Sequence, residues 1–183
     1  AFVSLTYDRD WHAAASGFRR ALELNPNLVA AHYWRSVYLW AIERRFNEAI
    51  AEARHATDLD PLAAYPIVQL GVSLLVAQRY DEAILALHRA AELDATSFLA
   101  HYYLGIAYRS RHMLAEAIAA LETAASLSGR HPWPMGQLCV AYAAADRSTD
   151  AQALQDELAA RSRREYVQPS GFAILHAQLG HFA

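Results

Sequence analysis

Nine histidines are the first residues here that suggest chemistry. A metal held on a helix needs imidazoles three or four residues apart, so that two of them share one face. His12, His32, His55, His88, His101, His112, His131, His176 and His181 offer no such pair, so we predict no metal site and no cofactor. Carboxylates cluster as Asp58/Asp60, Asp81/Glu82 and Asp156/Glu157. Neighbours one or two apart on a helix do not face each other, so none reads as an acid/base pair. Asp81 and Glu82 fit better at the start of a helix, where negative charge is favourable. No glycine-rich phosphate loop and no serine in a nucleophile elbow is present, and the chain reads as a non-enzyme. Cys139 is the only cysteine, which excludes an internal disulfide; it reads as a packing thiol, with no fixed cation beside it. The run Arg161-Ser162-Arg163-Arg164 reads as a solvated helix end.

Composition narrows the partners. The chain has 183 residues, 55% apolar and 19% charged, with seven glycines and six prolines. That balance supports a packed core of long helices and not a disordered chain. A net charge of −3 argues against nucleic acid, which selects a basic excess. Apolar runs such as 72–77 are too short to span a bilayer, and the simple expectation is a cytoplasmic protein without membrane contact. The chain opens without methionine and in apolar sequence, and reads as a segment of something longer.

A periodic pattern must position whatever these residues do. Ala14, Ala49, Ala83, Ala117 and Ala151 recur at spacings of 35, 34, 34 and 34. Three residues earlier stand Trp11, Phe46, Tyr80, Leu114 and Ser148, with Phe182 one period further on. A second column runs Ala21, Ala56, Ala90, Ala124, Leu158, and a helix-ending column Pro26, Pro61, Ala95, Gly129. Slim residues recur at Val37, Gly71, Gly105, Cys139 and Ala173, preceded by Ser36, Leu70, Leu104, Leu138 and Phe172. The pattern predicts paired antiparallel helices, A then B. A helices fall near 29–43, 63–77, 97–111, 132–145 and 168–179. B helices fall near 10–24, 46–59, 80–93, 114–127 and 148–161. Gly71 and Gly105 mark close A–B crossings, and Pro132-Trp133-Pro134 opens an A helix, since proline is tolerated in a first turn. No hairpin can bury both its faces, so neighbours must stack.

These columns resemble the tetratricopeptide repeat (TPR), with 70–93 and 104–127 fitting almost throughout. The resemblance implies an all-α superhelix, a TPR solenoid of antiparallel hairpins. It would form one array over 1–183, with repeats at 28–62, 63–96, 97–130 and 131–164 and partial repeats at 1–27 and 165–183. It implies a right-handed twist and a concave groove lined by A helices. The segments 7–11, 18–26, 31–34, 126–129 and 164–169 resemble the C-terminal repeat region of large bacterial regulators, in which a winged-helix, kinase or cyclase domain comes first. That implies a signalling or transcriptional docking module. The fifth repeat departs from the pattern at Ser148, Gln155 and Leu158, which predicts looser packing.

By register the groove is lined by Trp34, Arg35 and Tyr38, then Tyr65, Val68, Gln69 and Val72. Leu99, Tyr102, Tyr103, Ile106 and Arg109 follow, then Trp133, Gln137 and Val140. The candidate peptide-binding residues are Trp34, Arg35, Tyr38, Tyr65, Gln69, Tyr102, Tyr103, Ile106, Arg109, Trp133 and Gln137. Tyrosine, tryptophan and arginine dominate binding hot spots. Some family members grip a C-terminal carboxylate with lysine and asparagine; Trp34, Tyr38, Val68, Val72, Tyr102 and Ile106 occupy those places here, so that clamp is absent. The expected partner is a protein or an apolar peptide segment, with an acidic residue meeting Arg35 or Arg109. The alternative is a structural element that forms homo-oligomers through its exposed ends, Phe182 opening a B helix that is missing.

Overall fold

The computed structural model describes residues 1–163. The expectations placed on Arg164–Pro169, on the helix at 168–179 and on Phe172, Ala173, His176 and Phe182 lie outside the described residues. All regular structure within 1–163 is helical. After a π-helical turn at Ser4–Asp8 come α1 (Trp11–Leu24) and α2 (Val29–Tyr38), the latter continuing into a second π-helical turn, Leu39–Glu43. Then follow α3 (Phe46–Leu59), α4 (Ala64–Val76), α5 (Tyr80–Leu93), α6 (Phe98–Ser110), α7 (Leu114–Leu127), α8 (Pro132–Ala144) and α9 (Ser148–Ser162). The A and B helices stand within a residue or two of the positions that the repeat predicts. The chain gathers into two units, Ala1–Ala95 and Thr96–Ala183, each taken on its own.

The repeat columns explain the packing of each hairpin. Ala49, Ala83 and Ala117 are fully buried, as are Ala56, Ala90 and Ala124 on the same B helices. Their spacing of seven puts both on one face, two turns apart. The glycines serve the A–B crossing. A Cβ on Gly71 would lie 2.5 Å from Leu87 Cγ, and one on Gly105 would lie 2.3 Å from Leu121 Cγ. Both leucines are wholly buried and cannot swing aside at small cost. At the corresponding place Cys139 is also fully buried, and its thiol contacts the Ala151 carbonyl at 3.4 Å. Burial pushes the thiol pKa up, so it is an unreactive packing group. Leu158 is completely buried and Leu154 nearly so, so the last hairpin closes over a core despite its departures from the repeat.

Each A helix ends on one left-handed residue. Arg9, Arg44, Gln78, His112 and Asp146 all have φ between 54° and 60°. None is glycine, and each such residue costs roughly 1 kcal/mol relative to glycine in this conformation. The turn is closed by a backbone bond to the helix end. Arg79, Met113 and Arg147 donate to the carbonyls of Leu74, Tyr108 and Tyr142, five residues back. Arg45 donates to Leu39, six residues back.

That wider closure reveals an extra residue in α2. Arg44 lies 16 residues after the N-cap Leu28, whereas Gln78, His112 and Asp146 lie 15 after Ala63, Ser97 and His131. The π-helical turn Leu39–Glu43 absorbs the insertion, as such turns do. Counting from the N-cap, Ser36 rather than Val37 occupies the place of Gly71, Gly105 and Cys139. Ser36 is fully buried and Val37 only half-buried, which corrects the slim column.

Candidate functional site on the A helices

In the second unit, the A helices α6 and α8 bring together a cluster of aromatic and amide side chains. The Tyr102 ring lies 4.9 Å from Tyr103 and 6.5 Å from Trp133, centroid to centroid. His131 stands 5.2 Å from Trp133 and 6.3 Å from Phe98. The local sequence fixes α8 at its start: the His131 ring accepts from the Trp133 amide at 3.3 Å, and Ser128 Oγ accepts from the His131 amide at 3.1 Å. Pro132 and Pro134 occupy the first turn, where no intrahelical donor is lost.

Polar groups on this face converge on Gln137, which is 6% exposed. Its Oε1 accepts from Arg109 Nη2 at 3.2 Å, and its amide also bonds the Tyr102 hydroxyl. Tyr102 is buried, and desolvation raises its pKa. Desolvation likewise pulls Arg109 below the ordinary arginine value. Arg109 Nε is out of reach of solvent and has no acceptor among the described residues. Tyr103, Ile106 and Trp133 are half-buried around it and pack against the apolar core. The candidates Tyr102, Tyr103, Ile106, Arg109, Trp133 and Gln137 therefore stand together.

The first unit differs because of the extra residue in α2. Tyr33 packs 5.1 Å from Tyr65 on α4, and Trp34 lies 5.5 Å from Tyr33 and 4.5 Å from Phe2. Tyr65 hydrogen-bonds Gln69, which is itself buried. Counted from the N-cap, Tyr33, Trp34 and Val37 take the places of Val68, Gln69 and Val72. Trp34, Tyr65 and Gln69 thus share a face with Tyr33, which the constant stride of 34 passed over.

Arg35 does not join them, and Tyr38 lies in the core on which Trp34 and Val37 pack. Arg35 Nη1 donates to Glu52 Oε1 on α3 at 2.5 Å. Tyr38 is buried against Leu5, Ala14 and Phe18. Both residues line a shallow hollow against α1, with Phe18 and Leu22. The α2 members of the face are therefore Tyr33, Trp34 and Val37, one residue earlier than a uniform stride indicates. The same Glu52 holds His32, whose Nδ1 is 2.7 Å from Oε2; His32 Nε2 is 2.7 Å from the Pro26 carbonyl. Among the described residues no group of three or more His, Cys, Asp or Glu is placed to hold a metal, and no helix is long and apolar enough to cross a membrane.

No protein-family model matches the chain, and no curated protein matches it. Solved structures do. TTC0263, a thermophilic TPR protein of Thermus thermophilus, is similar with a TM-score of 0.81 at 19% identity, over 97% of this chain and 94% of that one. YrrB, a TPR protein with an unusual peptide-binding site, has a TM-score of 0.65 at 21% identity, over 94% and 86%. The first TPR of Spaghetti (RPAP3), bound to the HSP90 peptide SRMEEVD, has a TM-score of 0.60 at 16% identity, over 64% and 93%. The fold class is accordingly that of TPR proteins.

Proposed function

We propose that this chain is a protein-interaction module that binds a peptide or protein segment on its A-helix face, centred on α6 and α8. The observation that carries the reading is the cluster of Tyr102, Tyr103, Trp133, Gln137 and Arg109. It combines half-buried aromatic area with convergent polar groups, as binding hot spots do. Peptide binding by two of the similar solved structures, YrrB and RPAP3, supports the same reading. A place within a larger bacterial regulator belongs to this proposal through the resemblance of segments 7–11, 18–26, 31–34, 126–129 and 164–169, and a cytoplasmic setting belongs to it through the single cysteine.

The test uses a random-peptide phage library as probe. Peptides selected by the wild-type chain are expected to lose at least about tenfold in affinity when Tyr103 and Trp133 are both changed to alanine. The helical circular dichroism should be retained. Unchanged affinity, or no selected peptides at all, would rule this face out as the binding surface.

A second reading is that the chain associates with copies of itself. Phe2, Val3, Tyr7 and Trp11 are 41%, 55%, 77% and 39% exposed, and clustered exposed apolar groups favour association. Sedimentation of a Val3→Ser/Tyr7→Ser variant separates the two. Association of the wild type that disappears in the variant supports self-assembly through this patch; a monomeric wild type ends it.

A further inference from the structure

Arg109 differs from the arginines that hold a carboxylate partner. Arg35, Arg45, Arg54, Arg79, Arg130 and Arg147 each pair with a carboxylate. Arg89 donates to the Pro61 carbonyl from an exposed position. Arg109 is half-buried, is set among uncharged side chains, and has one acceptor, the neutral oxygen of Gln137. Among the described residues its Nε has none. Removing a guanidinium from water without a counter-charge is costly, and interiors normally pair it. Gln137 supplies a dipole but no charge, so among the described residues the positive charge of Arg109 has no counter-charge on this face.

Resting on the reading above, we infer that the bound segment presents an aspartate or glutamate side chain to Arg109, beside an apolar or aromatic residue packed on Tyr103 and Trp133. The guanidinium can donate to a carboxylate through Nη1, which has no acceptor among the described residues and, unlike Nε, is not closed to solvent. Gln137 holds the other side of the guanidinium and links it to the Tyr102 hydroxyl, so the arginine is oriented before the partner arrives. Low local polarity strengthens a pair formed there. The rest of the face, Tyr102, Tyr103, Ile106 and Trp133, carries no charge that would offset Arg109 or attract a second acid. One acidic residue at a fixed position is therefore expected, and not an acidic run.

A double-mutant cycle tests this with peptides selected from the random phage library. Wild-type selections are expected to share one Asp or Glu, and changing it to the amide should raise Kd about tenfold or more. On an Arg109→Gln chain the same change in the peptide should cost less than about threefold, because the charge it met is gone. Thermal unfolding of Arg109→Gln confirms that the chain still folds. The inference is overturned if the selected peptides lack a common acid, or if the amide change costs the same on both chains. In either case, peptides that still depend on Tyr103 and Trp133 leave the binding face standing. If affinity ignores Tyr103 and Trp133 as well, the binding-face reading falls with the inference.

Discussion

The A-helix faces of the two units are built from the same register positions and end up chemically different. In the first, Tyr33, Trp34 and Tyr65 form an aromatic surface, and Arg35 is drawn away to Glu52 on α3. In the second, Tyr102, Tyr103 and Trp133 form a similar surface, but Arg109 stays on it with only Gln137 as acceptor. The two arginines stand at different register positions, seven residues past the N-cap Leu28 and twelve past the N-cap Ser97. Arg35 takes the place that Leu70, Leu104 and Leu138 hold elsewhere, and there it meets a B helix. An arginine there survives because Glu52 meets it. The lesson is that the fate of a charge in a repeat protein is set by register before it is set by residue type.

The largest expected effect compares the two A–B crossings. Gly105→Ala should destabilise the protein by about 2 kcal/mol, because its Cβ must displace the fully buried Leu121. Ser36→Ala at the equivalent place should cost less than about 1 kcal/mol. It loses only the bond from Ser36 Oγ to the Tyr33 carbonyl, and Ala53 stands by register where Leu87 and Leu121 stand in the other crossings. Urea unfolding curves with unchanged slopes would check both. Equal losses would refute the claim that the crossings differ.

The two arginines give the next contrast. Arg35→Leu leaves Glu52 with His32 alone and should cost about 1 kcal/mol. Arg109→Leu removes a desolvated charge that has no carboxylate among the described residues, and should change stability by less than about 0.5 kcal/mol or raise it. Chemical denaturation of the two variants decides. A large loss at Arg109 would mean that its contact with Gln137 stabilises the fold and that no charge is left over for a partner.

The smallest effect is in acid. Arg130 hydrogen-bonds Glu157 and holds its pKa below the ordinary value, and Arg79 does the same for Glu82. A depressed carboxylate contributes stability above its unfolded pKa and loses it as the pH falls through the lower, folded value. The window therefore lies below about pH 4. The Arg130–Glu157 pair closes a loop of 27 residues, whereas Arg79 and Glu82 are neighbours on one turn. The Glu82 pairing persists in part whenever that turn forms, so acid should act more on the second unit. Both pairs are exposed enough for salt to screen them. Side-chain carbon titrations by NMR, at low and high salt, should find both glutamates titrating low and the shift reduced by salt.

Much of this was readable beforehand. The helices, the buried alanines and the close crossings at Gly71 and Gly105 follow from columns of small residues, because a backbone approach leaves no room for alternatives. The charge arrangement was less accessible. Val37 falls 34 residues before Gly71 and looks like a member of the slim column, so a constant stride hides the insertion. The signal was present in a mismatch: Pro26 and Pro61 are 35 apart while Val37 and Gly71 are 34 apart. That mismatch leaves Val37 one residue too far from the proline, makes Ser36 and not Val37 the true counterpart, and puts the extra residue after it. Gln137 as the acceptor of Arg109 was beyond reach, since it depends on how closely α6 and α8 approach.

The sulfur at Cys139 gives the molecule an internal clock. It is the sole thiol of the chain and is completely enclosed between α8 and α9. A maleimide or disulfide reagent can reach it only while that hairpin is parted, so the labelling rate counts openings. A ligand lodged on α8 should slow that rate in proportion to its occupancy. Engagement of the A-helix face could then be followed by mass spectrometry on the unmodified protein, with no dye or tag attached.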